Sequence, residues 1–279
     1  MTTPVTFQGA IFDVDGVLVD SPHARASQEA LHELMEGEWR DIRGHASYAP
    51  ERFTLAVYQQ LQAGKPPLAG ARAALEYFGV PDADRLAERY AAVKQEHVVR
   101  LIEEGQYSAF PDALRFILAV KGAGIPVAAA SSSRNARLFL SQIRLDIFAA
   151  EERLDYPFLT AGMTLLDLFD ADTSGRDIAR GKPDPLIFLS AADELGVAPS
   201  RCVVVEASTS GIEAAKTGGM AAVGVARHGD EELLVKAGAD LIVTTLDHVL
   251  MAALTEGRLE LRSVATELAR RQRERPASA

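Results

Sequence analysis

The sequence predicts an α/β protein with a doubly wound, mainly parallel sheet and an all-helical domain inserted after the first strand. Short apolar runs rich in Val, Ile and Ala alternate with helical patterns over most of the chain. This alternation is typical of a parallel sheet covered on both faces by helices. Residues 22–106 break the alternation, because they hold helical patterns and no strand-like run.

The predicted strands are short and almost entirely apolar, as expected for strands buried on both faces. They cover residues 7–12, 125–130, 202–205, 221–226 and 240–243. Helical patterns lie between most of them, at residues 112–121, 134–143, 185–195 and 211–217. The core domain is therefore predicted at residues 1–21 and 107–250.

The inserted segment contains four helical patterns separated by glycine and proline. They cover residues 24–35, 50–62, 69–77 and 82–102, with Gly37, Gly44, Gly64, Pro66 and Pro81 near their ends. This predicts a separate helical domain at residues 22–106. A charged helical pattern near the end of the chain predicts a helical tail at residues 251–279.

Composition excludes some functions and fits others. The formal net charge of −10 argues against nucleic-acid binding, which requires clustered Lys and Arg. The sequence has no run approaching the roughly 20 apolar residues that cross a bilayer, and its first residues lack the pattern of a signal peptide. Because Cys202 is the single cysteine, no internal disulfide can form. We expect a cytoplasmic monomer or weak dimer that binds neither nucleic acid nor membrane.

Two carboxylates end the first predicted strand, in the stretch AIFDVDGVLVDS. Asp13 and Asp15 are two residues apart, and Gly16 permits a sharp turn after them. A calcium-binding EF-hand loop is the first alternative, but its glycine comes five residues after the first Asp rather than three. Two solvated loop carboxylates are the second alternative. The position at the tip of a buried strand favours a functional pair.

Two further polar stretches follow later in the chain. Ser131, Ser132 and Ser133 precede a predicted helix, where hydroxyls and free N–H groups can hold an anion or simply cap the helix. Lys182 lies in GKPDP, also before a helix. A nucleotide-binding P-loop does not match here, because Pro183 stands where that motif requires Ser or Thr. Taken alone, Lys182 would be an ordinary surface lysine.

The order of these motifs resembles the haloacid dehalogenase-like superfamily. The helical insertion directly after FDVDGVLVDS resembles the cap of its β-phosphoglucomutase-like subgroup, and the resemblance extends over about residues 5–250. It implies a Rossmann-like core and an aspartyl-phosphate formed on Asp13. It also implies that Asp15 is the general acid and base, while Ser131 and Lys182 hold the phosphoryl group.

A metal ion fits this chemistry, because a carboxylate and a phosphate repel each other unless a cation lies between them. Mg²⁺ prefers oxygen ligands and keeps several waters. We therefore expect Mg²⁺ as the cofactor, with Asp13, Asp15 and Glu206 as its ligands. The family's fourth motif usually reads Glu-Asp-Ser, and this chain has Ala207 in place of the Asp. The sequence thus predicts a weakened metal site rather than an absent one.

The resemblance also implies where substrate binds. The cap would bring Lys94 and Gln95 towards the phosphoryl site, and residues 43–47 would lie where the family reads its substrate. The predicted substrate ligands are His23, Arg43, His45, Lys94, Gln95, Ser132, Arg134 and Asn135. Their amines, amides and guanidinium groups suit a phosphosugar. Each one could equally be a solvated residue or a helix cap.

These features predict a Mg²⁺-dependent phosphotransferase or hydrolase that acts on a small phosphorylated metabolite. A sugar phosphate is the expected substrate, and the enzyme would be a phosphatase or a phosphomutase. The alternative is a catalytically impaired metabolite-binding or regulatory protein, because Ala207 removes an expected carboxylate. The role of residues 154–180 is not predicted.

Overall fold

A computed structural model describes residues 6–176, 178 and 180–262 of the chain. The strands of this part are β1 (Gly9–Phe12), β2 (Val19–Asp20), β3 (Ser108–Ala109), β4 (Val127–Ala129), β5 (Ala171–Asp172), β6 (Cys202–Glu206), β7 (Ala221–Val225) and β8 (Leu241–Val243). Six of them form one sheet in the order β5-β4-β1-β6-β7-β8, and all neighbours in it are parallel. The predicted α/β fold with a mainly parallel sheet is confirmed.

The alternation of side chains along each strand explains why the strands are apolar throughout. Phe12 and Val205 pack in the cluster on one face of the sheet, whereas Ile11 and Val204 pack in the cluster on the other face. Successive strand residues point to opposite faces, so both sets must be apolar when helices cover both sides.

The helices are α1 (His23–Glu36), α2 (Arg40–Arg43), α3 (Leu55–Leu61), α4 (Pro67–Tyr77), α5 (Ala83–Glu103), α6 (Pro111–Gly122), α7 (Ala136–Gln142), α8 (Leu145–Glu151), α9 (Leu165–Leu168), α10 (Leu186–Glu194), α11 (Thr209–Thr217), α12 (Glu231–Lys236) and α13 (Met251–Thr255). Local signals start several of them. Pro67 and Pro111 occupy first helical positions, where their missing N–H costs nothing. Ser208 caps α11 by accepting a hydrogen bond from the Gly211 N–H at 3.1 Å.

The cap helices α1–α5 lie between β2 and β3. They surround an apolar cluster of their own that includes Leu31, Phe78 and Tyr90. β2 and β3 pair as a short antiparallel ribbon, so the two chain connections between the cap and the sheet run side by side. The domain boundaries at residues 22 and 106 stay predictions.

Several elements differ from the sequence-based expectations. The helix predicted at residues 50–62 is divided into a 3₁₀ turn, Pro50–Arg52, and α3, which Thr54 caps. β5 was not predicted, because two residues carry no periodicity.

The described part of the predicted helical tail is helical only at α13, which ends at Thr255, and Leu261 then returns to pair antiparallel with Val249. The helical pattern there gives way because the main chain turns back at Gly257, which has a φ of 79°. Residues 263–279 lie outside the described residues.

Within the described ranges, no helix combines the length and apolar character that a membrane span requires.

Candidate active site

Polar side chains meet at the carboxyl ends of three neighbouring strands. Asp13 directly follows β1, Ser131 comes just after β4, and Glu206 is the last residue of β6. Because β1 pairs in parallel with both β4 and β6, these ends lie side by side. Lys182 reaches the same place from the loop before α10. This edge is where open α/β sheets bind their ligands.

Lys182 is enclosed between two carboxylates. Its Nζ lies 3.0 Å from Asp13 Oδ1 and 2.5 Å from Glu206 Oε1, and its side chain is 0% exposed. Nζ also lies 4.8 Å from the centre of the Phe188 ring. Burial alone would lower the pKa of Lys182, but Asp13 and Glu206 raise it above its ordinary value. The lysine is therefore a fixed positive charge at the bottom of the site.

Asp13 and Asp15 have opposite pKa shifts. Burial raises the pKa of Asp13, and this effect exceeds the opposing attraction of Lys182. Burial would also raise the pKa of Asp15, but the His23 imidazole and hydrogen bonds from side chains that include Ser131 lower it. His23 Nε2 lies 3.3 Å from Asp15 Oδ1, and Ser131 Oγ donates to Asp15 Oδ2 at 3.2 Å. The folded protein therefore favours the charged form of Asp15 and disfavours that of Asp13.

Both oxygens of the Glu206 carboxylate have partners within the protein. Oε1 pairs with Lys182, and Oε2 accepts hydrogen bonds from the N–H groups of Ala207 and Ser208 at 2.8 Å each. The Ser208 hydroxyl donates to the same oxygen at 3.0 Å. To bind a metal ion directly, Glu206 would have to give up some of these contacts. Its role as a metal ligand stays a prediction.

The aspartate pair offers oxygen atoms that fit a metal ion. Asp13 Oδ1 and Asp15 Oδ1 are buried, and neither accepts a hydrogen bond of normal geometry from the described residues. Position 207 faces the same loop, because a Cβ placed on Gly16 would lie 3.1 Å from the Ala207 Cβ. In the described ranges, no group of three or more His, Cys, Asp or Glu side chains could hold a metal ion. The donor set fits a Mg²⁺ ion that keeps most of its waters, since Mg²⁺ accepts few protein ligands.

Cap residues close the other side of a small pocket, of about 70 Å³, above the aspartates. Lys94 Nζ donates to Gln62 Oε1 at 2.8 Å and lies 5.3 Å from the centre of the Tyr58 ring. Burial lowers the pKa of Lys94 to about 8. Gln95 and Asn135 exchange two amide hydrogen bonds, of 3.0 and 3.3 Å, which join the cap to the core.

The structure brings together most, but not all, of the predicted substrate ligands. Those that line the pocket are His23, Lys94, Gln95, Ser132, Arg134 and Asn135. Arg43 and His45 do not: Arg43 pairs with Glu36, and His45 is exposed on the next turn. None of residues 43–47 lines the pocket in this structure, so their predicted contact with the substrate stays a prediction.

Three pocket residues were missed by the sequence analysis. Tyr58 and Gln62 lie one helical turn apart on or just after α3, and Lys65 follows in the next loop. On an amphipathic helix, the spacing of Tyr58 and Gln62 does not distinguish residues that face a pocket from residues that only pack within the cap. The available signal was that Gln62 and Lys65 lie on either side of a turn residue, Gly64.

Comparison with known proteins identifies the family. A family model for haloacid dehalogenase-like hydrolases matches residues 7–219. The chain belongs to the haloacid dehalogenase-like hydrolase family. It is 31% identical over 260 residues to a β-phosphoglucomutase of Mycobacterium bovis, with 88% of this chain and 93% of that protein covered. It is 26% identical over 250 residues to hexitol phosphatase A of Escherichia coli, with 90% and 96% covered.

Solved structures agree with this assignment. A β-phosphoglucomutase from Clostridium difficile has the same fold, with a TM-score of 0.62, 22% identity and coverage of 90% of this chain and 96% of that one. An archaeal β-phosphoglucomutase from Pyrococcus matches with a TM-score of 0.60, 26% identity and coverage of 94% and 97%. The predicted resemblance to the β-phosphoglucomutase-like subgroup is confirmed, and the protein is an enzyme of this family.

The described residues of segment 154–180 of this haloacid dehalogenase-like enzyme contribute to one wall of a groove. They supply β5 at the sheet edge, and Gly175, Arg176 and Ile178 line a groove of about 630 Å³. Cap residues of α4 and α5 form its opposite wall. Because Gln95, Ser132 and Arg134 line both spaces, the groove continues from the small pocket.

A tight loop of the cap of the haloacid dehalogenase-like enzyme lies against the core. Gly64 has a φ of 72°, and its carbonyl accepts a hydrogen bond from Ser132 Oγ at 3.2 Å. A Cβ on Gly64 would lie 2.2 Å from Ser208 Oγ and 2.7 Å from Ser210 Oγ. Only glycine allows the loop to lie this close to the residues that follow β6.

We expect Gly64→Ala to lower kcat/KM by about 10²-fold, because the cap would be displaced by about 1 Å from the position that completes the pocket. Steady-state kinetics on the best sugar phosphate measures the loss. Gly196→Ala is the matched control, since Gly196 has a similar φ of 67° and its Cβ would meet nothing within 4 Å. Equal losses in the two variants would show that backbone strain, rather than cap position, is responsible.

Proposed function

We propose that the enzyme is a Mg²⁺-dependent phosphatase or phosphomutase that acts on a sugar phosphate through an aspartyl-phosphate on Asp13. The observation that carries the proposal is that Asp13, Asp15 and Ser131 line one pocket beneath the cap, with the Lys182 Nζ 3.0 Å from Asp13 Oδ1. The names of the relatives, a phosphoglucomutase and a hexitol phosphatase, support a phosphorylated carbohydrate as the substrate class.

In this mechanism Asp13 attacks the phosphorus atom of the substrate. Lys182 neutralises its carboxylate and the transferring phosphoryl oxygens, while the Ser131 hydroxyl and the nearby backbone N–H groups donate to the same oxygens. Asp15 protonates the leaving sugar oxygen and later removes a proton from the group that attacks the aspartyl-phosphate. Ser131 and His23 hold Asp15 in place for both steps.

Mg²⁺, held by Asp13 and Asp15, would shield the negative charge of the nucleophile from that of the phosphate. Lys94, Gln95, Arg134 and Asn135 face the part of the pocket where the sugar would lie. Their amine, amide and guanidinium groups can donate to sugar hydroxyls and to a second phosphate. The cap excludes bulk water while these contacts form.

A phosphate-release and product-isomer screen tests the proposal. A panel of hexose and hexitol phosphates is incubated with the protein at several Mg²⁺ concentrations, and both free phosphate and rearranged sugar phosphates are measured. We expect turnover of at least one sugar phosphate that increases with Mg²⁺. Binding of sugar phosphates without any turnover at saturating Mg²⁺ would contradict the proposal and support an impaired, ligand-binding protein.

We expect Ala207→Asp to tighten Mg²⁺ binding by at least about tenfold, because it adds a carboxylate beside the aspartate pair. Calorimetric titration of the protein with Mg²⁺ measures this directly. Activity at low Mg²⁺ should rise as well, and the difference from the wild type should narrow near saturation. Ala207→Asn is the control of similar size without charge. Unchanged Mg²⁺ affinity in Ala207→Asp would show that position 207 does not contribute to the metal site.

A further inference from the structure

A second cavity, of about 280 Å³, adjoins the reaction pocket. It lies between the start of α1, α3 and the loops that follow β6 and β7. Asp15, His23, Tyr58 and Gly64 line both spaces. The second cavity therefore leads directly to the proposed general acid and base.

The walls of this cavity suit water. Asp20, Ser21, Gln59 and Ser208 present carboxylate, hydroxyl and amide groups to it. Its volume is many times the roughly 10–15 Å³ that one water requires, and polar cavities of this kind hold water whereas apolar ones stay dry.

The small side chain of Ala207 forms part of the wall, so space remains where a longer carboxylate would extend. The cavity is present even though the cap contacts the core. Ser132 Oγ donates to the Gly64 carbonyl and Ser210 Oγ to the Ala63 carbonyl, both at 3.2 Å. Closing an active site normally protects reactive intermediates by excluding water. Here a water-sized space beside Asp15 remains when the cap contacts the core.

We propose that this cavity delivers the water that hydrolyses the aspartyl-phosphate, so that the enzyme releases phosphate rather than passing it to a second sugar hydroxyl. The inference rests on the proposed aspartyl-phosphate mechanism. The water oxygen forms a bond to phosphorus as the bond from phosphorus to the Asp13 oxygen breaks. The water proton passes to Asp15, and the products are inorganic phosphate and the free Asp13 carboxylate.

The test measures the lifetime of the phosphoenzyme and does not require the natural substrate. Protein is labelled with radioactive acetyl phosphate in the presence of Mg²⁺, separated from the donor, and followed in buffer with and without unlabelled hexose phosphates. Ala24→Leu and Ala63→Leu each place a bulky apolar side chain in the cavity wall. We expect both variants to lose label about tenfold more slowly than the wild type. This effect is smaller than the roughly 10²–10⁴-fold contribution of general base catalysis, because Asp15 itself is retained.

Ala150→Leu is the matched control, because Ala150 is exposed on α8, and it should lose label at the wild-type rate. Wild-type label should appear mainly as inorganic phosphate even with the hexose phosphates present. Equal rates in the wild type and in either folded cavity variant, or label passing mainly to a hexose phosphate, would overturn the inference. If the wild type takes up no more label than Asp13→Asn, the proposed aspartyl-phosphate itself is contradicted.

Discussion

Asp13→Asn is expected to lower phosphate release by more than about 10³-fold, because an amide is a poor nucleophile of nearly the same shape. The fold should survive the change. Asp13 is buried, and burial raises the pKa of its carboxyl group, which means that the folded protein disfavours the charged form. A neutral side chain removes this cost, so the free energy of unfolding should stay the same or rise.

The measurement pairs single-turnover kinetics with denaturant unfolding of the same preparations. Asp15→Asn provides the comparison, since loss of the general acid and base should reduce turnover by about 10²–10⁴-fold while still allowing some phosphoenzyme to form. An Asp13→Asn protein that kept most of its activity would exclude Asp13 as the nucleophile. One that lost activity only by unfolding would leave no support for a specifically chemical role.

Lys182→Met is expected to have the largest effect on stability as well as a severe effect on activity. Methionine is similar in length, but it leaves the buried Asp13 and Glu206 carboxylates without their shared cation. Removing one partner of a buried ion pair lowers the free energy of unfolding by about 3–5 kcal/mol, because a desolvated charge is left uncompensated. Phosphate binding should weaken in parallel, since the site loses its fixed positive charge.

Urea unfolding of the wild type and the variant measures the stability loss. Lys216→Met is the control, because Lys216 pairs with Asp240 at 2.6 Å with both side chains more than a third exposed, and such a pair contributes only about 0–1 kcal/mol. Adding Glu206→Gln to Lys182→Met should recover part of the lost stability by removing one unpaired charge. If Lys182→Met were no less stable than Lys216→Met, Lys182 would not be the cation that stabilises these carboxylates.

Local patterns in the sequence were enough to predict the sheet and the residues at its edge. Apolar runs buried on both faces revealed five of its strands, and each candidate group follows a strand or precedes a helix. That placement, together with the resemblance to the haloacid dehalogenase-like superfamily, predicted Asp13, Ser131 and Lys182 as site residues. β5 could not be predicted in this way, because two residues in an edge strand give no periodic signal.

The sequence by itself determined the order of the strands along the chain, the candidate catalytic groups at their ends and, through the family resemblance, the absence of the expected carboxylate at Ala207. Tertiary structure decided that Glu206 is directed at Lys182, that Gly64 lies against Ser208, and that Tyr58 reaches the pocket while Arg43 does not. The reason is that strand and helix patterns depend on neighbouring residues, whereas these contacts join segments up to more than a hundred residues apart. How the cap lies on the core depends on the packing of whole helices, which no local spacing records.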